Sequence, residues 1–461
     1  MSRRTVADLW ALDFRLRPTP RPDLVRLPHP IILLLGAIGI AAALTWVLPA
    51  GEYERRDDPA TGRRVAVPGT YHRVEAAPVR PFRAVMAVPR GFAAGIDVVM
   101  TILIVGAGWV VIDRLGTLRV LVGAIVRRFT GRGLMAIPVV SLFFAMGGAL
   151  ENMQEEIIPL IPVLLLLGRG VGVDALTVVA MSAGAAMIGS AFGPTNPFQA
   201  GIALKLAELP PLAGGGIRLL MLVIGFAIWV AWTMRHAVRN PQPVEAVAGD
   251  HRELTRRDLV IVACLLLPLA MYVYGVMRLS WGFDELSAAF VVGGVAAGLI
   301  GGLGTTGTVK TFLEGMQVML PAASLVALAR GISLVLTDGR VIDTILHALA
   351  TPLAQVPAVA TGVMMIPVHA LIHIPVSSVS GQAALTMPIF VPLGDLVGLS
   401  RQAVVLAYQT GAGLMELLTP TNGALMAVLL AADVPFSRWV RFAAVGALLL
   451  VPVGLVAMLA V

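Results

Sequence analysis

Charge is scarce in this chain, and lysine is nearly missing. Only 13% of the 461 residues are Asp, Glu, Lys or Arg, against about a quarter in an average soluble domain, which excludes an ordinary water-soluble fold. Lys205 and Lys310 are the only lysines, a skew that reads as genomic codon bias. The single cysteine, Cys264, sits in an apolar run, so no disulfide can form within the chain and the redox compartment is not legible from it. A signal peptide's short apolar run and small-residue cleavage site are absent at the N-terminus; residues 1–28 are polar and arginine-rich and read as a cytoplasmic tail. No HExxH, nucleophile–base motif, phosphate-binding glycine loop or metal-ligand cluster is evident, which argues against a membrane-embedded enzyme.

What is present is apolar surface. Hydrophobic residues make up 57% of the chain and the mean hydropathy is +0.87. Nearly charge-free windows at 31–49, 217–234, 259–277, 286–303 and 440–459 are each long enough to cross about 30 Å of hydrocarbon as a helix. Further helices are expected at 97–113, 175–208, 316–336 and 401–432. The net charge of +7 comes from arginines concentrated in loops, so it reads as a membrane-orienting signal and gives no support to a nucleic-acid partner. Their distribution favours a cytoplasmic N-terminus in a prokaryotic inner membrane, although the loop 51–90 puts eight arginines on the other side.

Two apolar stretches are too long for one crossing and carry polar tips. Residues 134–168 are interrupted by ENMQEE (151–156), and residues 356–394 by SSVSGQ (377–382). An apolar arm, a polar tip and a second apolar arm predict a re-entrant hairpin, because irregular backbone survives at membrane depth only inside protein or beside a wet cavity. Sliding the chain over itself by 226 residues lays Pro194-Thr195-Asn196 on Pro420-Thr421-Asn422, with eleven identities over positions 154–203. Counting crossings gives two copies of opposite orientation, residues 29–240 and 286–461, joined by a linker (241–285) whose helix 259–277 inverts the second. The expected fold is an all-α polytopic membrane protein, an inverted-repeat secondary transporter with two re-entrant hairpins and two broken transmembrane helices, 175–208 and 401–432.

The candidate site gathers at those interruptions. A helix broken in low dielectric leaves N–H and C=O groups free for anions and cations. Gly193, Pro194, Thr195 and Asn196 form one break, and Thr419, Pro420, Thr421 and Asn422 form the other. Ser377, Ser378, Ser380, Gly381 and Gln382 make an oxygen-rich second tip suited to a cation or a carboxylate. The first tip pairs neutral Asn152 and Gln154 with Glu151, Glu155 and Glu156, and Glu416 precedes the second break. Carboxylates at membrane depth are costly and by default functional, so these could carry a proton, or pair with Na⁺ or a substrate ammonium. Arg330 is either a substrate-carboxylate ligand or the partner of a buried acid such as Glu416. His369 and His373, one turn apart, could form a metal pair or proton relay, with hydrogen-bonded packing favoured.

These motifs carry a family resemblance. GGALENMQEEIIPLIPVLLLLG, GSAFGPTNPF, ALARGISLVL, the long SSVSGQ…TPTNGALM stretch and TWVLPAGEY resemble the YfcC family, related to the DcuC C4-dicarboxylate carriers of the ion transporter superfamily. The likeness runs from about residue 33 to the C-terminus. More remotely, the hairpin-then-break pattern is similar to divalent-anion/Na⁺ symporters and p-aminobenzoyl-glutamate transporters. The resemblance implies an elevator mechanism, with a dimeric scaffold and a moving transport domain that carries both hairpins and both breaks. Those symporters have Ser-Asn-Thr ten residues before a hairpin proline; here Asn152-Met153-Gln154 and Ser378-Val379-Ser380 stand there, so dicarboxylate and Na⁺ specificity do not simply carry over. Family members are often labelled basic amino-acid antiporters, which the acidic first tip supports. The expected function is secondary transport, by symport or exchange, of a small carboxylate-bearing metabolite such as a C4-dicarboxylate or an amino acid. The coupling ion is H⁺ or Na⁺, no other cofactor is expected, and the partners are the substrate, the bilayer and a second copy of the chain.

Overall fold

The computed structural model describes residues 29–59, 63–128, 133–210, 212–244, 254–279 and 281–461. The arginine-rich N-terminal tail, residues 1–28, lies outside the described residues. Apolar sequence in lipid must satisfy its backbone internally, and the chain accordingly folds into helices with a small β-ribbon.

Helix α1 (Pro30–Val47) leads into a ribbon in which β1 (Gly51–Glu52) pairs with β4 (His72–Arg73), and β2 (Arg55–Asp58) with β3 (Arg63–Ala66). Then follow α2 (Pro81–Ala94), α3 (Ile96–Arg114) and α4 (Thr117–Arg128). The first hairpin is α5 (Ala136–Glu151), a 3₁₀ turn (Glu155–Leu160) and α6 (Ile161–Val171). The first broken helix comprises α7 (Ala175–Val179), a π turn (Ala180–Gly184), α8 (Ala185–Phe192), a second π turn (Pro197–Gly201) and α9 (Ile202–Leu206). Four long helices come next: α10 (Gly215–Arg239), α11 (Arg256–Leu279), α12 (Phe283–Ile300) and α13 (Gly304–Asp338). The short α14 (Ile342–Ala350) precedes the second hairpin, α15 (Ala358–His373) and α16 (Val379–Val397). The second broken helix is α17 (Arg401–Met415) and α18 (Gly423–Ala431), and α19 (Phe436–Leu459) closes the chain.

Eight helices among the described residues are long and apolar enough to cross a membrane, so this is a multi-pass membrane protein. They include Gly133–Glu151, the first arm of the first hairpin. Three helices were not foreseen. Residues 81–94, 117–128 and 342–350 carry too many polar or charged residues to stand out as spans. The expected helix 316–336 is also longer, because the polar stretch 304–315 continues it as α13.

The breaks lie at the centre. Halves α8 and α17 pack on each other and on the first arms of their own hairpins, α5 and α15. Close approach depends on glycine: a Cβ on Gly148 would strike the Ala186 backbone, and one on Gly189 would strike that of Ala145. At the 226-residue offset the helix ends coincide, although π and 3₁₀ turns in the first copy stand where the second is continuous α-helix. Gly172 and Gly398 end α6 and α16 in the left-handed region, both with φ 79°. Asp174 caps the Thr177 N–H and Ser400 caps Ala403; Asn196 caps Gln199 and Asn422 caps Leu425. Each cap supplies an acceptor that a helix start otherwise lacks.

Candidate functional site

Gly193 ends α8 against the hairpin, where a Cβ would lie 2.8 Å from both Ala149 Cα and Cβ. Pro194 and Pro197 cannot donate backbone hydrogen bonds, so the chain turns here. The first break then closes on its own tip. Asn196 Nδ2 donates to Gly148 O (3.0 Å), Asn152 Oδ1 (3.1 Å) and Ser190 Oγ (2.9 Å). Thr195 Oγ1 donates to Ala149 O at 2.8 Å, and the Ser190 hydroxyl donates to Asn152. Asn152 adopts the left-handed conformation that ends α5.

At the second break Thr421 Oγ1 donates to Ile374 O (2.6 Å), and Ser377 Oγ returns a bond to Thr421 O (2.8 Å). Thr419 and Thr421 hydroxyls lie 2.8 Å apart, and Pro420 occupies the turn between them. Ser378 caps α16 through Gly381 N. Asn422 and Gln154 couple the two units: Asn422 Nδ2 donates to Glu416 Oε2 (2.9 Å) and Gln154 Oε1 (3.2 Å), and Gln154 Nε2 donates to Glu416 Oε2 (2.5 Å).

The remaining candidates separate. Glu156 Oε2 accepts from Gln154 N at 3.1 Å. Glu151 is buried with neither carboxylate oxygen hydrogen-bonded, and Glu155 faces Arg330, Glu416 and Asp97. His373 Nδ1 lies 2.8 Å from Gln382 Oε1, and its Nε2 lies 2.8 Å from Glu416 Oε1. His369 does not join: its ring nitrogens have no hydrogen-bond partner, and the ring packs between Phe390 and Tyr408. The favoured packing role fits His369 without the hydrogen bond expected of it, and no relay links it to His373, whose ring is engaged by Gln382 and Glu416. Among the described residues no group of three or more His, Cys, Asp or Glu is placed to hold a metal.

Arg330 is not the partner of Glu416, which is taken by Gln154, Asn422 and His373. It lines a cavity of about 530 Å³ with Ser378 and Gly381 of the second tip and with Arg55, Arg64 and Arg340. Arg55 pairs with Asp343 (2.9 Å) and Arg340 with Glu52 (3.3 Å), both acids lining the same cavity. Among the described residues no carboxylate comes within ion-pair distance of Arg64 or Arg330.

Sequence reasoning missed the ribbon's arginines, because only the fold carries residues 51–66 to the second tip. It also missed Arg218, fully buried at the start of α10, which donates to Gln409 Oε1 (2.6 Å), Gln402 Oε1 (3.1 Å) and Ala213 O. Gln409 Nε2 in turn donates to Ala191 O beside the first break. An arginine inside GGIRLLML was the available signal.

The model of the C4-dicarboxylate anaerobic carriers, DcuC, matches residues 27–461. The chain belongs to that family. Within it, YfcC of Escherichia coli (strain K12), named as a candidate basic amino acid antiporter, is 29% identical over 475 residues, covering 92% of this chain and 93% of YfcC. An uncharacterized protein of Haemophilus influenzae (strain ATCC 51907 / DSM 11121 / KW20 / Rd) is 28% identical over 486 residues, covering 92% and 95%. Solved structures that align along most of this DcuC-family chain are the YdaH transporter of Alcanivorax borkumensis (TM-score 0.43, 17% identity, 94% of this chain and 98% of that one) and Neisseria gonorrhoeae MtrF, from a class of antimetabolite efflux pumps (TM-score 0.41, 17% identity, 94% of each).

Proposed function

We propose that the protein is a secondary active transporter that carries a small carboxylate-bearing metabolite across a prokaryotic inner membrane. The observation that carries this reading is the cavity at the second tip. Two of its four arginines are neutralised by Asp343 and Glu52, and Arg330 and Arg64 face open space beside Ser378 and Gly381. A guanidinium without a carboxylate partner is a fork-shaped receptor for one, and serine hydroxyls and backbone N–H groups complete the recognition of its oxygens. In this proposal two inverted repeats place their breaks at the midplane. The hairpins and broken helices travel together as the moving part of an elevator, against a scaffold that dimerises. The shared caps at the 226-residue offset and the packing of α8 on α17 support that arrangement.

Exchange of basic amino acids is the second reading, favoured by Glu151, Glu155, Glu156 and Glu416 around the first tip and by the name of the E. coli relative. Proteoliposome uptake of dicarboxylates, neutral amino acids, arginine and lysine under imposed Na⁺ and pH gradients separates them. Gradient-driven uptake of a dicarboxylate or a neutral amino acid is the expected result; uptake confined to arginine or lysine would select the second reading, and uptake of none of these compounds would overturn the carboxylate reading.

A further inference from the structure

The polar cluster around Glu416 has hydrogen bonds that fix which of its groups donate and which accept. The Leu425 N–H fixes the Asn422 amide by donating to Oδ1 (3.0 Å), so Nδ2 faces outward and donates to Gln154 Oε1 and Glu416 Oε2. Gln154 is thereby fixed with Nε2 toward Glu416 Oε2. On the other side Gln382 Nε2 donates to the His369 carbonyl at 2.8 Å, which can only accept. Its Oε1 therefore faces His373 Nδ1, and that nitrogen must carry the hydrogen. What remains is Nε2, 2.8 Å from Glu416 Oε1 and too oblique for a straight hydrogen bond.

A neutral imidazole protonated at Nδ1 presents a lone pair at Nε2. Facing an ionised carboxylate, it would set two acceptors at a distance that hydrogen-bonded atoms adopt. A single proton held by the pair, on Nε2 or on Oε1, would relieve that contact. Both side chains are walled from solvent, at 0% and 3% exposure. The charged and titratable groups of the surrounding elements are Glu155, within electrostatic reach of Glu416, Arg330 of α13 and Asp97 of α3, with Glu156 and Glu151 next to it, and the packed His369 and Tyr408 rings. Arg438, on the adjoining α19, is bound to Asp174.

We propose that His373 and Glu416 form a one-proton site that ties the second tip to its own break, beside the contact that Gln154 makes from the first unit, and that the ion taken up there to drive transport is H⁺. When the second tip opens from its own break, the proton leaves to water, and the carboxylate and the Nε2 lone pair become solvated separately. Closing again requires one proton to be taken up. This rests on the transporter reading only for its role in coupling; the site itself does not.

The test uses the full chain in liposomes, with infrared difference spectra between acidic and alkaline buffer and amide exchange read by mass spectrometry. Wild type is expected to show a proton-linked carboxyl or imidazolium band, and faster exchange at 150–157, 374–382 and 416–425 in alkali than base catalysis explains. Glu416→Gln keeps an acceptor for Gln154 and Asn422 and offers an N–H to Nε2, so its second tip is expected to stay closed on its own break at every pH and the band to vanish. His373→Gln removes the band as well, and carries the test should Glu416→Gln not fold. A band unchanged in either variant, or exchange in Glu416→Gln as pH-dependent as in wild type, overturns the proposal. Uptake driven by a Na⁺ gradient alone, with pH equal on both sides, also overturns it while leaving the transporter reading intact. Absence of carboxylate uptake under every gradient damages that reading without touching the spectra.

Discussion

At the first break Asn196 turns its amide onto the hairpin just ahead of it, whereas Asn422, at the equivalent position of the second break, donates to Glu416 and to Gln154 of the other unit. Both asparagines cap the half-helix that follows. The backbone problem is the same in the two places, and one residue type solves it. What differs is the spare donor: the first unit closes it inside a neutral Asn152–Ser190–Asn196 cluster, and the second turns it toward charge and lies beside an open cavity. Duplicated geometry therefore need not mean duplicated chemistry; the first break reads as a clasp and the second as a working site.

The sharpest way to break this comparison is to remove both asparagines in turn. Asn196→Ala and Asn422→Ala are each expected to abolish gradient-driven uptake while leaving expression intact. Asn196→Ala also removes a cap and orphans several buried partners, a cost of about 2–4 kcal/mol. Asn422→Ala is expected to cost less, about 1–2 kcal/mol, since Gln154 and His373 still hold Glu416. Thermal unfolding in detergent beside the uptake assay decides; equal melting temperatures would erase the distinction between clasp and working site.

Arg330→Ala comes next. Arg330 is exposed and pairs with no carboxylate, so stability is expected to move by no more than about 0.5 kcal/mol. Losing one charge-assisted contact should raise the apparent KM for an anionic substrate roughly tenfold. A KM unchanged in this variant would detach the cavity from substrate recognition. Glu155→Gln and Glu156→Gln are expected to change the pH profile of uptake less than Glu416→Gln does, and a larger change would move the driving ion to the first tip.

The smallest effect concerns the caps Asp174 and Ser400, which occupy matching positions but differ in charge. Burial pushes the Asp174 carboxyl up, but hydrogen bonds from His236 and Thr177 outweigh it and hold it below the usual carboxylate range. Arg438 lies 2.6 Å away on α19. A depressed folded value means that this clamp stabilises the fold above the ordinary carboxylate range near pH 4, and that the contribution is lost as pH falls through the folded value. Acid is therefore expected to loosen the start of α7 before that of α17, whose serine cap does not titrate. Asp174→Asn should abolish the difference in amide exchange between the two helix starts.

Much of this was legible from pattern. Long apolar windows placed the membrane helices, and the duplicated Pro-Thr-Asn marked both breaks, because proline removes a backbone donor wherever it stands and glycine lets the chain turn. Polar tips inside apolar stretches marked the hairpins. Helices 81–94, 117–128 and 342–350 escaped, since short polar helices lack the hydrophobic signature. Arg330 was left between a substrate-carboxylate ligand and the partner of an acid such as Glu416, because residue type alone does not choose among the acids and amides in reach.

Sequence by itself determined that the chain enters a membrane, that two segments 226 residues apart break in the same way, and that carboxylates gather at the first tip and not at the second; each follows from solvation and backbone hydrogen bonding, which are local. Only the tertiary structure decided that Glu416 meets His373 and Gln154, that Arg330 opens onto a cavity with arginines from residues 55, 64 and 340, and that His369 stays apart. Those pairings join residues distant along the chain, and which buried donor reaches which acceptor is set by how helices pack.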